Sequence, residues 1–239
     1  MRPALLSIPF AIAAVCVTVG WHLGVFDSAE ARPKIAPFSS AFEPSEEFQF
    51  EPPKPGSYAL NVIKMAPEGR VLDTNGEGRA LSDVLQDKVS LVSFVYLNCG
   101  DVNGCPLAMS TLFDIHDTSA QIPGLNENVQ LVTISFDPER DTVEAIDAFA
   151  YPITHTEMPD KKLDWHVLTT SGQAALKPIL NGFGQVVDRS DAQDQISHLL
   201  RIYLVDRKGQ IRNIYGLGLI DPRLLMTDVE TLLMQEGGF

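Results

Sequence analysis

Cysteine is scarce in this chain, with three in 239 residues. So few cannot staple a small secreted scaffold, and Cys16 stands alone inside an apolar stretch, which leaves Cys99 and Cys105 as a pair. Positive charge is short as well: 18 Lys and Arg face 31 Asp and Glu, for a formal net charge of -13. No basic stripe runs along the sequence, which argues against nucleic acid as a partner. Also missing are a Ser-His-Asp arrangement, a phosphate-cradling glycine loop and a zinc-protease helix motif. No internal repeat is present.

Charge is absent altogether from residues 4–26, which hold no Asp, Glu, Lys or Arg and follow Arg2 and the N-terminal amine. A run of that length and polarity can cross a bilayer as a helix. Residues 1–26 are therefore expected to be a membrane anchor or signal segment. Ala29-Glu30-Ala31 resembles a cleavage site, but the apolar run before it is longer than most signal peptides carry, which favours an uncleaved anchor. The positive-inside rule then places the rest of the chain outside the cytoplasm, in the periplasm or its equivalent. A dithiol is oxidised there unless a thiol reductant protein keeps it reduced. Residues 27–56 combine Pro33, Pro37, Pro44, Pro52, Pro53 and Pro55 with several glutamates and read as a tether. Phe38, Phe42, Phe48 and Phe50 are unusual in a flexible linker, and partial order is expected over 48–55.

Residues 57–239 are expected to form one domain. Residues 91–97 are apolar, β-branched and aromatic, the composition of a strand buried on both faces. After a glycine-bearing loop, Pro106 opens a helix toward Ala120, because proline at the first helical position gives up only an amide that had no partner there. Further strands are expected over 129–136, 165–168 and 201–205, with 211–215 as hairpin partner of the last. Helices are expected over 142–150, capped by Thr142, over 171–183, and from Asp221 onward. Residues 58–65 and 70–73 read as short strands, 81–85 as a helical turn and 151–163 as a loop. This order gives a three-layer α/β domain and resembles the thioredoxin fold, here expected with an N-terminal β-hairpin extension.

Cys105 falls at or beside the N-cap of its helix, where exposed amides and the positive dipole end favour a thiolate. Cys99 can fold back toward it because Gly100 and Gly104 free the intervening loop. From the residues alone three readings stand. One is a soft metal site. A second is a redox dithiol, with Cys99 and Cys105 catalytic in a thiol-disulfide oxidoreductase, and a third is a static disulfide.

Several segments together resemble the Sco/SenC family of membrane-anchored copper proteins, from about residue 57 to the C-terminus. They are Phe94-Val95-Tyr96 running into the cysteines, Cys105-Pro106-Leu107 leading the helix, and Asp137-Pro138-Glu139-Arg140-Asp141-Thr142. Trp165-His166-Val167-Leu168-Thr169 and His198 ahead of Tyr203-Leu204-Val205-Asp206 complete the match. The resemblance implies that two cysteines and a distal histidine bind one copper ion, roles that fall to Cys99, Cys105 and His198. It further implies a metallochaperone that delivers copper to a respiratory enzyme, namely the binuclear copper centre of cytochrome c oxidase. The family's cysteines stand closer together, whereas here Gly100, Asp101, Val102, Asn103 and Gly104 intervene. Thioredoxin-type oxidoreductases place a cis-proline before the strand that follows His198, and Gln195-Ile196-Ser197-His198-Leu199 has none, which favours metal over general thiol exchange. The competing class is an oxidoreductase that reduces the cysteines of a periplasmic metalloenzyme. Elsewhere, His116 reads as solvated, His166 as packed beside Trp165, and His155 with Met158 as an incidental loop pair. Asp137, Arg140 and Asp141 read as a surface ion pair and cap.

Overall fold

Residues 36–44, 48–97, 99, 105–189 and 196–237 are described by a computed structural model. The expected anchor over 4–26, Cys16, the inter-cysteine loop 100–104 and Gln195 lie outside the described residues. In chain order the elements are β1 (Lys64–Met65), β2 (Arg70–Leu72), β3 (Gly78–Ala80), α1 (Leu81–Leu85), β4 (Val89–Val95), α2 (Cys105–Ser119), α3 (Leu125–Asn128) and β5 (Val129–Ser135). They continue with α4 (Val143–Thr154), β6 (Asp164–Leu168), α5 (Gln173–Phe183), β7 (Val187–Asp188), β8 (Ser197–His198), β9 (Arg201–Val205), β10 (Gln210–Gly216) and α6 (Pro222–Gln235).

Six strands form one sheet in the order β1-β10-β9-β4-β5-β6. β4, β5 and β6 run parallel, and β9 lies antiparallel to β4. Every residue of β4 and β5 is buried, which is why neither segment alternates polar with apolar: helices cover both faces. Phe94 packs edge-on against Phe183 of α5 at 5.1 Å. Its neighbour Ser93 turns to the other face, where its hydroxyl meets Thr133 Oγ1 at 3.0 Å, and Thr133 Oγ1 accepts from the Trp165 indole at 2.9 Å. Trp165 lies against Phe113 of α2, so α5 and α2 occupy opposite faces and the domain has three layers. The closing hairpin of β9 and β10 turns at Gly209, which takes φ 75°, while Asp206 Oδ1 accepts the N–H groups of Lys208 and Gln210. This is the thioredoxin-like arrangement expected.

Two expectations change. Of the short strand expected over 58–65 only β1 forms, and it joins the main sheet beside β10, while the N-terminal hairpin is β2 with β3. Ahead of β1, Ile63 N–H still donates to Ile211 O at 2.8 Å, but at Leu60 the backbone finds side-chain partners: its N–H donates to Gln235 Oε1 at 3.2 Å, and Arg212 Nε donates to its carbonyl at 3.1 Å. The helix expected to stop at Ala150 runs on to Thr154 through Pro152. Proline there costs one hydrogen bond in the last turn, and His155 N–H closes the helix on Tyr151 O at 3.0 Å.

The described part of 37–60 lies along α6. Phe38, in a short 3-10 helix (Phe38–Ala41), is buried, and its N–H donates to Glu230 Oε2 at 2.8 Å. Arg223 donates to Phe48 O at 2.5 Å and sits 5.8 Å from the Phe50 ring centroid. Gly56 N–H donates to Thr231 Oγ1 at 3.0 Å, and the Tyr58 hydroxyl donates to Asp228. These contacts explain why Asp228, Glu230 and Thr231 of α6 are buried although the helix is polar at those positions.

Candidate metal centre

The centre lies where β4 ends and α2 begins. Cys99 N–H donates to Tyr96 O at 3.3 Å, turning the chain out of β4, and Cys105 is the first residue of α2. His198 comes from the other side, on β8, paired with Val187 of β7. The two sulfurs and a ring nitrogen of His198 all lie within 4.8 Å of one another, in the one such cluster of His, Cys, Asp or Glu among the described residues. Both cysteines are free thiols, Cys105 buried and Cys99 half-buried.

The imidazole orientation follows from its contacts. His198 Nδ1 is 3.1 Å from Ile196 O, and a carbonyl can only accept, so Nδ1 carries the proton. Nε2 then presents its lone pair to Cys105 Sγ, 3.4 Å away. A second contact that fixes a ring this way is what metal-ligating histidines need. The ring also packs against Phe136 at 4.8 Å and stands edge-on to Tyr96 at 5.9 Å, two buried aromatics that flank it. Two thiols and one imidazole form a soft donor set of the kind that suits copper.

Cys105 departs from expectation in its acidity. Its place at the helix N-terminus favours a thiolate, but burial pushes the thiol well above its ordinary range, and the neighbouring Cys99 adds to the effect. Desolvation in an apolar setting outweighs a partial helix charge. The metal-free site therefore holds Cys105 as a neutral thiol, and a bound cation has to displace its proton.

Three further residues lie elsewhere than the sequence suggested. His116 is buried, not solvated: its ring packs against Trp165 at 5.5 Å, and burial lowers its pKa. Asp137 and Asp141 are buried rather than on the surface. Asp137 keeps Arg140 at 3.5 Å, while Asp141 Oδ2 accepts from Leu97 N–H at 3.2 Å and from the Ser135 hydroxyl at 2.6 Å. Thr142 does cap α4, accepting from Ala145 N–H at 3.4 Å. His155 ends α4, stacks on Tyr151 at 4.0 Å and is not one of the clustered residues. Sequence reasoning missed the flanking aromatics Tyr96 and Phe136; the available signal was that each directly follows a buried strand at the end where α2 begins.

Comparison with known proteins agrees with this geometry. The SCO1/SenC family model matches residues 65–234. The SCO1 protein homolog of Bacillus subtilis (strain 168) is 26% identical over 146 residues, covering 59% of this chain and 69% of that protein. Among solved structures, Arabidopsis thaliana ScoI with copper bound aligns with a TM-score of 0.58 at 20% identity, over 72% of this chain and 99% of that one. A SCO1/SenC family lipoprotein from Bacillus anthracis str. Ames aligns at 0.59 and 22% identity, over 73% and 99%. The structural likenesses establish the fold, and the family match runs from β1 into α6, through both cysteines and His198; the chain belongs to the SCO1/SenC family.

Proposed function

We propose that this protein binds one copper ion through Cys99, Cys105 and His198 and hands it to a respiratory enzyme, the binuclear copper centre of cytochrome c oxidase. The observation that carries this reading is the convergence of two sulfurs and an oriented imidazole within 4.8 Å. Soft sulfur favours Cu(I), and the nitrogen donor helps to accommodate Cu(II). Copper bound in the Arabidopsis relative supports the same cargo here. Residues 1–26 act as the membrane anchor and hold the domain outside the cytoplasm, in line with the lipoprotein relative. Among the described residues no helix is long and apolar enough to cross a membrane.

Transfer proceeds by ligand exchange. A partner thiol displaces the bound ligands one at a time while a thiol reductant protein keeps Cys99 and Cys105 reduced. His198 is the first to leave, because it is a neutral donor on a strand of two residues. A second reading rests on the closeness of the two free thiols: a dithiol that reduces the cysteines of its partner and carries no metal. His198→Ala separates the two. Loss of copper retention with disulfide exchange intact supports the chaperone. Disulfide exchange that persists in the variant, in a protein whose wild type retains no copper, supports the oxidoreductase.

A further inference from the structure

We infer that Asp141 is a positioning residue of the metal centre, one that fixes the Cys99 side of the ligand set relative to the His198 side; the inference rests on the copper reading above. Asp141 is 2% exposed, and its carboxylate has no role in the ligand set. Its Oδ2 accepts from two donors, Leu97 N–H at 3.2 Å and the Ser135 hydroxyl at 2.6 Å. Ser135 Oγ in turn accepts from Asp137 N–H at 3.0 Å, and Asp137 O accepts from Asp141 N–H at 2.8 Å. The loop of bonds is closed. Thr169 adds β6 to it, donating from Oγ1 to Asp141 O at 2.9 Å.

What this ring encloses gives it meaning. Leu97 is two residues ahead of Cys99, at the point where the chain has left β4. Phe136 lies between Ser135 and Asp137, tied to β4 by its own N–H on Val95 O at 2.9 Å, and its ring is the platform 4.8 Å from the His198 imidazole. One carboxylate oxygen thus joins the approach to one ligand with the support of another. Outer contacts of this kind change metal affinity by about 10- to 100-fold when removed.

The plainer alternative is that Asp141 only finishes the sheet. The full chain carrying Asp141→Ala, Asp141→Asn or Val229→Ala distinguishes them. Val229 is buried in α6, outside the ring, and Val229→Ala supplies a stability loss unrelated to the site. Three readouts are taken: competition for Cu(I) against a chromophoric chelator, the sulfur-to-Cu(II) charge-transfer band, and the iodoacetamide alkylation rate of Cys99 in metal-free protein. Asp141→Ala is expected to weaken copper binding by about tenfold or more, move the band and alter the Cys99 rate. Asp141→Asn keeps one acceptor oxygen and falls between, and remains informative if the alanine variant does not fold. Val229→Ala leaves all three readouts at their wild-type values. Aspartate variants that match Val229→Ala in every readout overturn the inference. If the wild-type protein takes up no copper, the copper reading fails by itself, and the alkylation rate decides the role of Asp141: altered supports it, unchanged overturns it.

Discussion

Phe38→Ala tests whether the segment ahead of residue 57 belongs to the cooperative fold. Phe38 is 1% exposed, and its N–H donates to Glu230 Oε2 of α6. Truncating a buried phenylalanine to alanine removes its apolar contacts and leaves a cavity, at about 3–5 kcal/mol in packed cores. The surrounding segment is a single strap over α6 and can partly close into the gap, which puts the expected loss at the lower end, about 3 kcal/mol. That is a large share of the total stability of about 5–15 kcal/mol typical of a domain. Urea unfolding followed by tryptophan fluorescence reads it. The expected result is a lower midpoint with an unchanged slope, because the slope tracks the surface exposed and the strap unfolds with the sheet. A loss below about 1 kcal/mol would show that Phe38 is not held on α6, and the reasoning from its burial would fail.

Other predictions address the interior. Burial holds the His116 imidazole below its ordinary value of 6.5, with Lys162 adding to the effect and Asp117 opposing it. The unfolded chain therefore takes up a proton that the folded chain resists, so this contribution is intact above pH 6.5 and is lost as pH falls through 6.5 toward the depressed value. His116→Phe should flatten the change in urea midpoint between about pH 7 and pH 5, and curves parallel to wild type would contradict the assignment. Replacing glycine by alanine in a helix ordinarily stabilises by up to about 1 kcal/mol. At Gly182 in α5 the sign reverses, since the new Cβ would meet Pro67 Cβ at 2.2 Å and Cγ at 2.7 Å. A loss of about 1–3 kcal/mol is expected in the same unfolding assay, and any gain would show that Pro67 moves aside freely.

The central strands are legible in the sequence because burial on both faces leaves a continuous apolar run, and 129–136 nearly coincides with β5. The start of α2 is legible from Pro106 to within one residue, because proline is tolerated where the helix has spare amides. Pro152 misleads for the converse reason: it sits where a helix near its end can lose one bond. Burial of polar groups is less legible. Asp141 is covered because Leu97 and Ser135 converge on it, and His116 because Trp165 packs over it, and neither partner is local in sequence. Desolvation of Cys105 is hidden in the same way, since its helix position alone suggests the opposite acidity. The cysteine pair is visible from spacing. His198 is 93 residues from Cys105, and nothing around it marks it as their partner without the family resemblance.

The most direct test of the central claim is copper stoichiometry and the absorption spectrum of the reduced full chain, beside Cys99→Ser, Cys105→Ser and His198→Ala. The account predicts one equivalent of copper, an intense sulfur-to-copper charge-transfer band in the Cu(II) form, and loss of that band in each variant. Copper that stays bound, with the band unchanged, after removal of Cys99 or Cys105 would contradict it, as would a reduced wild-type chain that retains no copper at all.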